Sequence, residues 1–256
     1  MSEKQTHHDL VERQFGEQAN AYLTSTVHAQ GADLQKLSHI LHSQSQAEVL
    51  DIGCGAGHVS FTVAPLVRSV TAYDLSTDML NAVLKGASER QISNIQTACG
   101  IAESLPFESN RFDIILSRYS AHHWQNVSMA LNEVYRVLKP GGKVVFMDVV
   151  SPGNPVLDIY LQTVEALRDR SHVRDYSIAE WSRFINESGL TLSEISTDRL
   201  QLEFNSWTQR MRTPQHYIDA IRAFQQEASQ EVKNYFAIGA DGTFSTDIAM
   251  FIGHKS

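Results

Sequence analysis

Short apolar runs alternate with amphipathic stretches over the first 150 residues of the chain. The apolar runs have the length of strands, which are predicted to begin at Val49, Ser69, Phe112 and Val144. Helical patterns follow three of them, at 58–64, 76–90 and 127–138. Each strand followed by a helix implies a right-handed crossover, so the pattern predicts a parallel sheet with both faces covered.

A different pattern begins after residue 190. Apolar and polar residues alternate from Leu200 to Phe204 and again from Ile248 to Ile252, which predicts two strands with one apolar face each. The segment between them, 206–238, carries apolar residues at helical spacing after Pro214. A connection of this length is expected to have structure of its own. It is predicted to be a helical lid, a dimer surface or a helix pair that packs on the sheet edge.

The first strand runs into the glycine-rich turn VLDIGCGAGH. Gly53, Gly55 and Gly57 let the backbone turn sharply and lie against a ligand, to which the helix that begins near His58 presents free amide N–H groups. A dinucleotide-binding loop has its third glycine where this chain has His58. The G-x-G-x-G spacing, with Asp51 inside the strand, instead resembles the first motif of class I S-adenosylmethionine-dependent methyltransferases. The resemblance implies that Asp51 and the glycine backbone hold the methionine end of the cofactor.

The second predicted strand ends in Asp74, 23 residues after Asp51. A carboxylate at this position can accept two hydrogen bonds from a ribose diol, so Asp74 is the predicted ribose anchor. The alternative is a solvated Asp that caps the helix starting near Ser76, since Asp and Ser are both favoured there.

The segment CGIAESLPF at 99–107 resembles the adenine-side segment of the same family. The resemblance implies that Ala102 and Glu103 line the base, and it includes Leu75 and Ser117 in the cofactor site. Many relatives have an Asp where this chain has Ile101, and that Asp commonly accepts a hydrogen bond from the adenine amino group. Glu103 or a backbone carbonyl must then substitute for it.

Two later motifs narrow the resemblance to one group. Ala121–Trp124 and Arg136–Lys143 resemble segments of the ubiquinone/menaquinone biosynthesis C-methyltransferase group, methyltransferase type 11. The resemblance implies a Rossmann-like, doubly wound α/β fold whose seven-stranded, mostly parallel sheet has the order 3-2-1-4-5-7-6. We expect a single domain, residues 1–256. Its predicted parts are a helical N-terminal cap (1–45), the cofactor-binding core (46–150), helices and strand 6 (151–205), the helical insertion (206–238) and the last strand (239–256).

The N-terminal segment offers a second lid. Phe15, Ala19 and Tyr22 resemble the F-x-x-x-A-x-x-Y signature that precedes the core in many small-molecule methyltransferases, and they would share one helical face. Tyr22 is therefore predicted to close over the methionine end of the cofactor, to pack this helix onto the core, or to do both.

Methyl transfer from a sulfonium is an in-line displacement that requires positioning and exclusion of water. If the attacking atom carries a proton, a base within hydrogen-bond reach helps, and the candidates are His122, His123 and Tyr22. A purely structural contact is the alternative for the two histidines. Arg170 or Arg174, in a charged stretch, could hold an anionic substrate, although a solvated connector is the favoured interpretation.

Composition limits the partners. The net charge of −8 argues against a nucleic-acid substrate, and no apolar stretch reaches membrane-spanning length. With no apolar signal region either, we expect a cytoplasmic monomer or homodimer. Cys54 and Cys99 are too few for a disulfide framework, and no cluster has structural-zinc spacing, so no metal is expected.

The sequence thus predicts transfer of a methyl group from S-adenosyl-L-methionine to a small-molecule acceptor, with S-adenosyl-L-homocysteine as the second product. One alternative is a non-catalytic protein that binds an S-adenosyl ligand and acts through protein interaction. A nicotinamide-dependent oxidoreductase is disfavoured by His58 and by the position of Asp51 within the strand.

Overall fold

A single seven-stranded sheet organises the protein, seen here in a computed structural model that describes residues 6–16 and 31–256. The strands are β1 (Glu48–Ile52), β2 (Ser69–Asp74), β3 (Ile95–Cys99), β4 (Phe112–Arg118), β5 (Leu138–Val150), β6 (Leu190–Leu202) and β7 (Phe244–Lys255). Their order is β3-β2-β1-β4-β5-β7-β6. The first five strands are parallel, and β7 runs antiparallel to both β5 and β6. The predicted fold and strand order are confirmed.

Helices cover both faces of this sheet. They are α1 (His7–Gly16), α2 (Ala32–Leu41), α3 (His58–Val63), α4 (Thr77–Glu89), α5 (Val127–Val137), α6 (Pro155–Arg168), α7 (Ile178–Glu187), α8 (Phe204–Arg210), α9 (Gln215–Glu227) and α10 (Gln230–Tyr235). The three helices predicted in the core agree with α3, α4 and α5 within one or two residues. In the described ranges, no helix combines the length and apolar character needed to cross a membrane.

Two predicted boundaries are wrong. β5 begins at Leu138 and not at Val144, because Leu138 already pairs with Phe112 of β4, and the register shifts before Lys143 pairs with Ile114. β6 begins at Leu190, and Phe204, which was expected in that strand, begins α8. The Glu203 carboxylate accepts hydrogen bonds from two backbone N–H groups of that helix and so caps its start.

The two faces of the sheet have separate apolar cores. On one face, Leu131 and Val134 of α5 pack with Trp181 of α7 against the central strands. On the other face, Leu37 of α2 and Val59 of α3 pack against the same strands. Burial on both faces holds the carboxyl ends of the central strands in fixed positions, and the candidate site lies there.

The helices between β6 and β7 form a third core with α6. Trp207 of α8, Ile221 of α9 and Phe236 of α10 are buried with Leu161 of α6 and with Phe244 at the start of β7. The helical character predicted for 206–238 is therefore observed. This packing makes α8–α10 a separate layer that is anchored to α6.

Candidate functional site

The carboxyl ends of β1, β2 and β4 border a cavity of about 1040 Å³, its open mouth included. Seven residues predicted to bind the cofactor line it: Asp51, Gly53, Gly55, Asp74, Leu75, Ala102 and Glu103. Of the two candidate histidines, His123 lines the cavity and His122 does not. Tyr22 and Ala19 lie outside the described residues. Among those that are described, no residue of 206–238 lines this cavity.

The glycine turn holds its shape by backbone hydrogen bonds to β2. The amides of Gly53 and Cys54 both donate to the carbonyl oxygen of Tyr73, at 2.8 and 3.1 Å. Gly53 has φ +64°, and a Cβ there would collide with the Ser120 side chain. Gly55 has φ +50°, and a Cβ there would meet no protein atom within 4 Å. The surface at Gly55 thus leaves room for a ligand against the backbone.

Two predicted residues support the cavity without lining it. Gly57, with φ +92°, is the N-cap of α3, and a Cβ there would press on the side chains of Phe61 and Val83. Ser117 is a buried residue of β4 that pairs with Phe146 of β5. Both positions belong to the packing behind the cavity.

Asp51 is a buried carboxylate in the cavity wall, only 1% exposed. The Ser60 hydroxyl donates a hydrogen bond to its Oδ2 at 2.6 Å. Burial, together with the negative charge of Asp74, raises the pKa of Asp51 to about 7 against the opposing effect of Ser60. A buried carboxylate with a raised pKa favours a cationic ligand, whose charge would stabilise the ionised form.

Asp74 connects the glycine turn to the following helix. Its Oδ2 accepts a hydrogen bond from the Gly55 amide at 2.8 Å, and its Oδ1 accepts one from the Ser76 amide at 2.9 Å. Burial raises the pKa of Asp74, although both amide hydrogen bonds oppose the shift. Ser76 itself caps α4 by accepting from the Met79 amide at 3.3 Å. Asp74 is therefore not the cap of α4, and its remaining lone pairs can accept hydrogen bonds from a ligand.

The loop after β3 closes another side of the cavity. The Tyr73 hydroxyl donates to the Ile101 carbonyl at 3.0 Å and fixes this loop to β2. Ala102 presents a small apolar surface, and one oxygen of Glu103 accepts from the Asn126 amide at 3.0 Å. The second oxygen of Glu103 remains available as an acceptor.

Several lining residues were not predicted. Arg118, at the carboxyl end of β4, forms a bidentate ion pair with Asp33 of α2, with Nη2 and Oδ1 3.1 Å apart. Tyr119 follows with φ +51° and also lines the cavity. From α1, Val11 completes the wall together with Phe15, which belongs to the N-terminal signature singled out in the sequence. The signal for Arg118 was its position at a strand end next to the crevice, whereas nothing in the sequence indicates that Asp33 is its partner.

His122 is bound to an aspartate of β5. Its Nδ1 lies 2.6 Å from Oδ1 of Asp148, whose side chain is buried. Burial lowers the pKa of His122, but the Asp148 carboxylate outweighs this effect and raises it to about 9. His122 is therefore protonated at neutral pH, and in that state it cannot accept a proton from a substrate.

His123 faces the cavity in a different environment. Its Nδ1 lies 3.1 Å from the carbonyl oxygen of Ser171, and the Phe15 ring packs against it with 4.9 Å between centroids. Its Nε2 lies 3.9 Å from Oδ2 of Asp169. Burial and the nearby charge of His122 lower the pKa of His123 below its ordinary value. At neutral pH, His123 therefore has a lone pair that can accept a proton.

Further ionisable groups are buried next to these histidines. The His172 Nε2 lies 3.0 Å from the Gln162 side-chain oxygen, and burial lowers the pKa of His172. Burial raises the pKa of Asp175 well above its ordinary value, with repulsion from Glu165 adding to the effect. This group of residues contains opposite charges of its own, because His122 is paired with Asp148.

The two arginines proposed for an anionic substrate lie in different environments. Arg174 forms ion pairs with Asp158 at 3.1 Å and with Glu180 at 3.3 Å. Arg170 is exposed and borders a second, smaller cavity. No group of three or more His, Cys, Asp or Glu residues in the described part of the chain could hold a metal ion.

Comparison with known proteins shows which family has this arrangement. A family model described as a methyltransferase domain matches residues 50–146. The uncharacterized protein YafE of Escherichia coli K12 is 56% identical over 204 residues, which are 80% of this chain and 99% of YafE. The uncharacterized methyltransferase YcgJ of Bacillus subtilis is 35% identical over 89% of this chain and 90% of its own length.

Solved structures agree with the sequence matches. The crystal structure of YcgJ superposes with a TM-score of 0.83 at 33% identity, covering 87% of this chain and 97% of YcgJ. A candidate methyltransferase from Bacillus halodurans C-125 gives a TM-score of 0.85 at 31% identity, covering 88% of this chain and 99% of that protein. These similarities extend well beyond the glycine turn, over most of the fold.

Proposed function

Because the chain belongs to the class I S-adenosylmethionine-dependent methyltransferases, we propose that it transfers the methyl group of S-adenosyl-L-methionine to a small-molecule acceptor by in-line displacement. The observation that carries this proposal is the open space at Gly55, in a cavity that is also lined by the carboxylates of Asp51 and Asp74. A ligand with a cationic end and a ribose diol fits the charge and the hydrogen-bonding capacity of this cavity. When bound, the cofactor would supply an activated methyl group on a sulfonium.

Each end of the cofactor has residues suited to it. Asp51 would pair with the ammonium of the methionine end, and the amides of the glycine turn would lie along it. Asp74 would accept the two ribose hydroxyls, as in the family motif. Ala102 and Glu103 would border the base, with Glu103 accepting from its amino group. Leu75 would pack beside the ribose.

His123 is the better candidate for a general base. It lines the cavity and is neutral at neutral pH, whereas His122 is outside the lining and protonated. His123 would accept the proton of an O–H, N–H or activated C–H acceptor as the methyl group is transferred. Tyr22 stays a prediction in the same role, and so does a cytoplasmic location.

A nicotinamide enzyme fits the turn less well. His58 begins α3 at the position where a dinucleotide loop requires its third glycine. A non-catalytic cofactor-binding protein would have the same Asp51 and Asp74, so a transfer assay is what separates that alternative from catalysis.

Calorimetry tests the binding of the cofactor, and a transfer assay then tests catalysis. We expect the full-length chain to bind S-adenosylmethionine and S-adenosylhomocysteine, and to give no heat with NAD. With radiolabelled methyl cofactor and a pool of small metabolites, we expect a labelled product. Tight cofactor binding without any product would favour the non-catalytic alternative, and absence of cofactor binding by folded protein would refute the site assignment.

A variant pair tests the base. His123→Gln should lower the rate of transfer about a hundredfold or more and leave the affinity for S-adenosylhomocysteine unchanged, since removal of a general base typically costs ~10²–10⁴ in rate. His254→Gln is the matched control, because His254 is bonded to Ser193 at the outer hairpin, 2.8 Å from its hydroxyl. Equal rates for the two variants would exclude His123 as the base.

A further inference from the structure

A second cavity, of about 620 Å³ with its open mouth included, lies beside the first. Its walls come from α1, from the end of α6 and from the segment after α8. Four arginines line it, and no acidic residue does so among the residues that are described: Arg13, Arg168, Arg170 and Arg212. In a chain with a net charge of −8, this is a local concentration of positive charge.

Two of these four arginines, Arg13 and Arg170, have no counter-charge among the described residues. Arg168 has one carboxylate partner, Glu165, at 3.3 Å. Neither Arg13 nor Arg170 forms an ion pair or a hydrogen bond with any residue of 6–16 or 31–256. Guanidinium groups that converge on one cavity repel each other, and an anion between them would relieve that repulsion.

The walls of this cavity are held in place before any ligand binds. The Arg168 Nε donates to the Trp207 carbonyl at 3.0 Å, and its guanidinium lies 4.9 Å from the centre of the Trp207 ring. Its side chain is 13% exposed. On the opposite wall, the Gln14 side-chain amide donates to the Met211 carbonyl at 2.9 Å and ties α1 to the segment after α8. A preorganised site loses little entropy when a ligand binds.

The second cavity shares two of its walls with the cofactor cavity. Arg168 and Arg170 line the second cavity, while Asp169 between them is buried and faces His123 of the first. On α1, Gln14 lines the second cavity and its neighbour Phe15 lines the first. A molecule bound between the arginines would thus lie one wall away from the histidine proposed as the base.

We propose that this arginine cavity binds an oxyanion, a phosphate or a carboxylate, carried by the methyl acceptor. Guanidinium groups bind both anions through paired N–H···O hydrogen bonds, which fix orientation as well as position. The link to the acceptor rests on the proposed methyl transfer, whereas oxyanion binding by the arginines does not. Of the two arginines suggested by sequence, Arg170 contributes to this site, because Arg174 is already paired with Asp158 and Glu180.

Titration of the full-length chain with two simple probes tests the proposal. Inorganic phosphate and citrate are added separately by calorimetry at constant ionic strength. We expect heat from at least one of them, with affinity reduced at least tenfold in Arg170→Gln and further in the double variant Arg13→Gln/Arg170→Gln. Binding of phosphate alone would assign a phosphorylated acceptor, and binding of citrate alone would assign a carboxylic acid.

The matched control is Arg183→Gln, which removes the same charge from the exposed face of α7. It should bind both probes as the unaltered chain does. No heat from either probe, or equal loss in Arg170→Gln and Arg183→Gln, would overturn the proposal. Arg13 and Arg170 are both exposed, so the thermal unfolding midpoint of the double variant should equal that of the unaltered chain.

The cofactor titration separates this proposal from the proposed function. If phosphate binds through Arg170 but S-adenosylmethionine does not bind, the arginine site stands and the assignment as a methyltransferase fails. If S-adenosylmethionine binds and neither probe does, the arginine site fails alone. Once an acceptor is known, Arg170→Gln should raise its KM at least tenfold with kcat within about twofold.

Discussion

The two sides of the cofactor cavity deal with buried charge in opposite ways. On the glycine-turn side, Asp51 and Asp74 are both carboxylates, and the partners in the wall are neutral donors such as Ser60 and the Gly55 amide. On the histidine side, Asp148 is paired with His122. The first side is left with negative charge that burial makes costly, while the second carries its own counter-charge.

This difference indicates that the glycine-turn side binds the ligand, whereas the histidine side holds its own side chains in place. Two carboxylates whose hydrogen-bond partners are neutral groups become more stable when a cation or a set of hydroxyl donors arrives, so free energy is released on ligand binding. An ion pair that is complete within the protein gains nothing from a ligand. The charge of His122 in this pair adds to the effect of burial in lowering the pKa of its neighbour, His123.

The largest expected effect is steric and concerns the glycine-turn side. Gly55→Val should abolish binding of S-adenosylhomocysteine, by more than about a hundredfold, because the new side chain would fill open space at the ligand surface. Gly141→Val is the control, since Gly141 also has positive φ, +75°, with no atom within 4 Å of a Cβ, but lies outside the cavity. Calorimetry should show normal affinity for the control. An equal loss of affinity in both variants would mean that backbone strain, and not the filling of ligand space, causes the loss.

The next effect concerns stability on the histidine side. The pKa of His122 is about 9 in the folded protein, above its unfolded value, so the pair with Asp148 stabilises the fold fully below pH 6.5 and loses this effect as the pH rises through 9. The change in the free energy of unfolding over that window should be on the order of 3 kcal/mol. In Asp148→Asn this part of the pH dependence should disappear in urea titrations.

Asp247→Asn serves as the control for that measurement. Asp247 pairs with Arg199 at 2.7 Å, and an arginine does not titrate in this window. Its stability profile from pH 6.5 to 9 should follow that of the unaltered chain. A profile for Asp148→Asn that also follows the unaltered chain would contradict the assigned charge of His122.

Loss of the ribose anchor should have a comparable or smaller effect on affinity. Asp74→Asn should weaken S-adenosylhomocysteine binding by about 1.5–3 kcal/mol, because hydrogen bonds to a charged acceptor become hydrogen bonds to a neutral one. Asp113→Asn is matched to it, since Asp113 also accepts a hydrogen bond from a backbone N–H, that of Glu48 at 2.9 Å, but lies at the amino end of β4 and outside the cavity lining. Unchanged affinity in Asp74→Asn would remove the ribose assignment.

The smallest effect is a pH dependence of cofactor affinity. Below a pKa of about 7, Asp51 becomes protonated and can no longer pair with an ammonium group. Affinity for S-adenosylhomocysteine should therefore fall about tenfold between pH 8 and pH 6, relative to Asp51→Asn measured in the same buffers. Dividing the affinity of the unaltered chain by that of the variant cancels the effect of any titration of the ligand itself. A ratio that does not change with pH would place the cationic end elsewhere.

The core of the fold could be predicted because its signals are local. β1 and β2 are apolar runs that end in turn-formers, and Asp51 and Asp74 belong to them. β6 was underestimated because it is an outer strand that pairs with β7 alone, and most of its residues between 190 and 200 are exposed. An exposed outer strand does not require a run of apolar residues. The alternation of apolar and polar residues is therefore visible only near the end of β6, from Leu200.

On the histidine side, the sequence predicted only that the motif Ala121–Trp124 lies near the site. His122 and His123 are adjacent in one 3₁₀ turn, and sequence gives no reason to prefer either. What separates them is contact with Asp148, 26 residues away from His122, and with Ser171, 48 residues away from His123. Partners at such distances along the chain are set by tertiary packing, which no local pattern encodes.

The third core, made by α6 with α8–α10, has a consequence for how the protein opens. Trp207, Ile221 and Phe236 are buried against α6 and the ends of the long hairpin, and none of them belongs to the two cores that flank the sheet. Units with separate apolar interiors can unfold independently. Amide hydrogen exchange should therefore show α9 and α10 exchanging as one block, faster than β1 and β4, while the cofactor cavity stays intact.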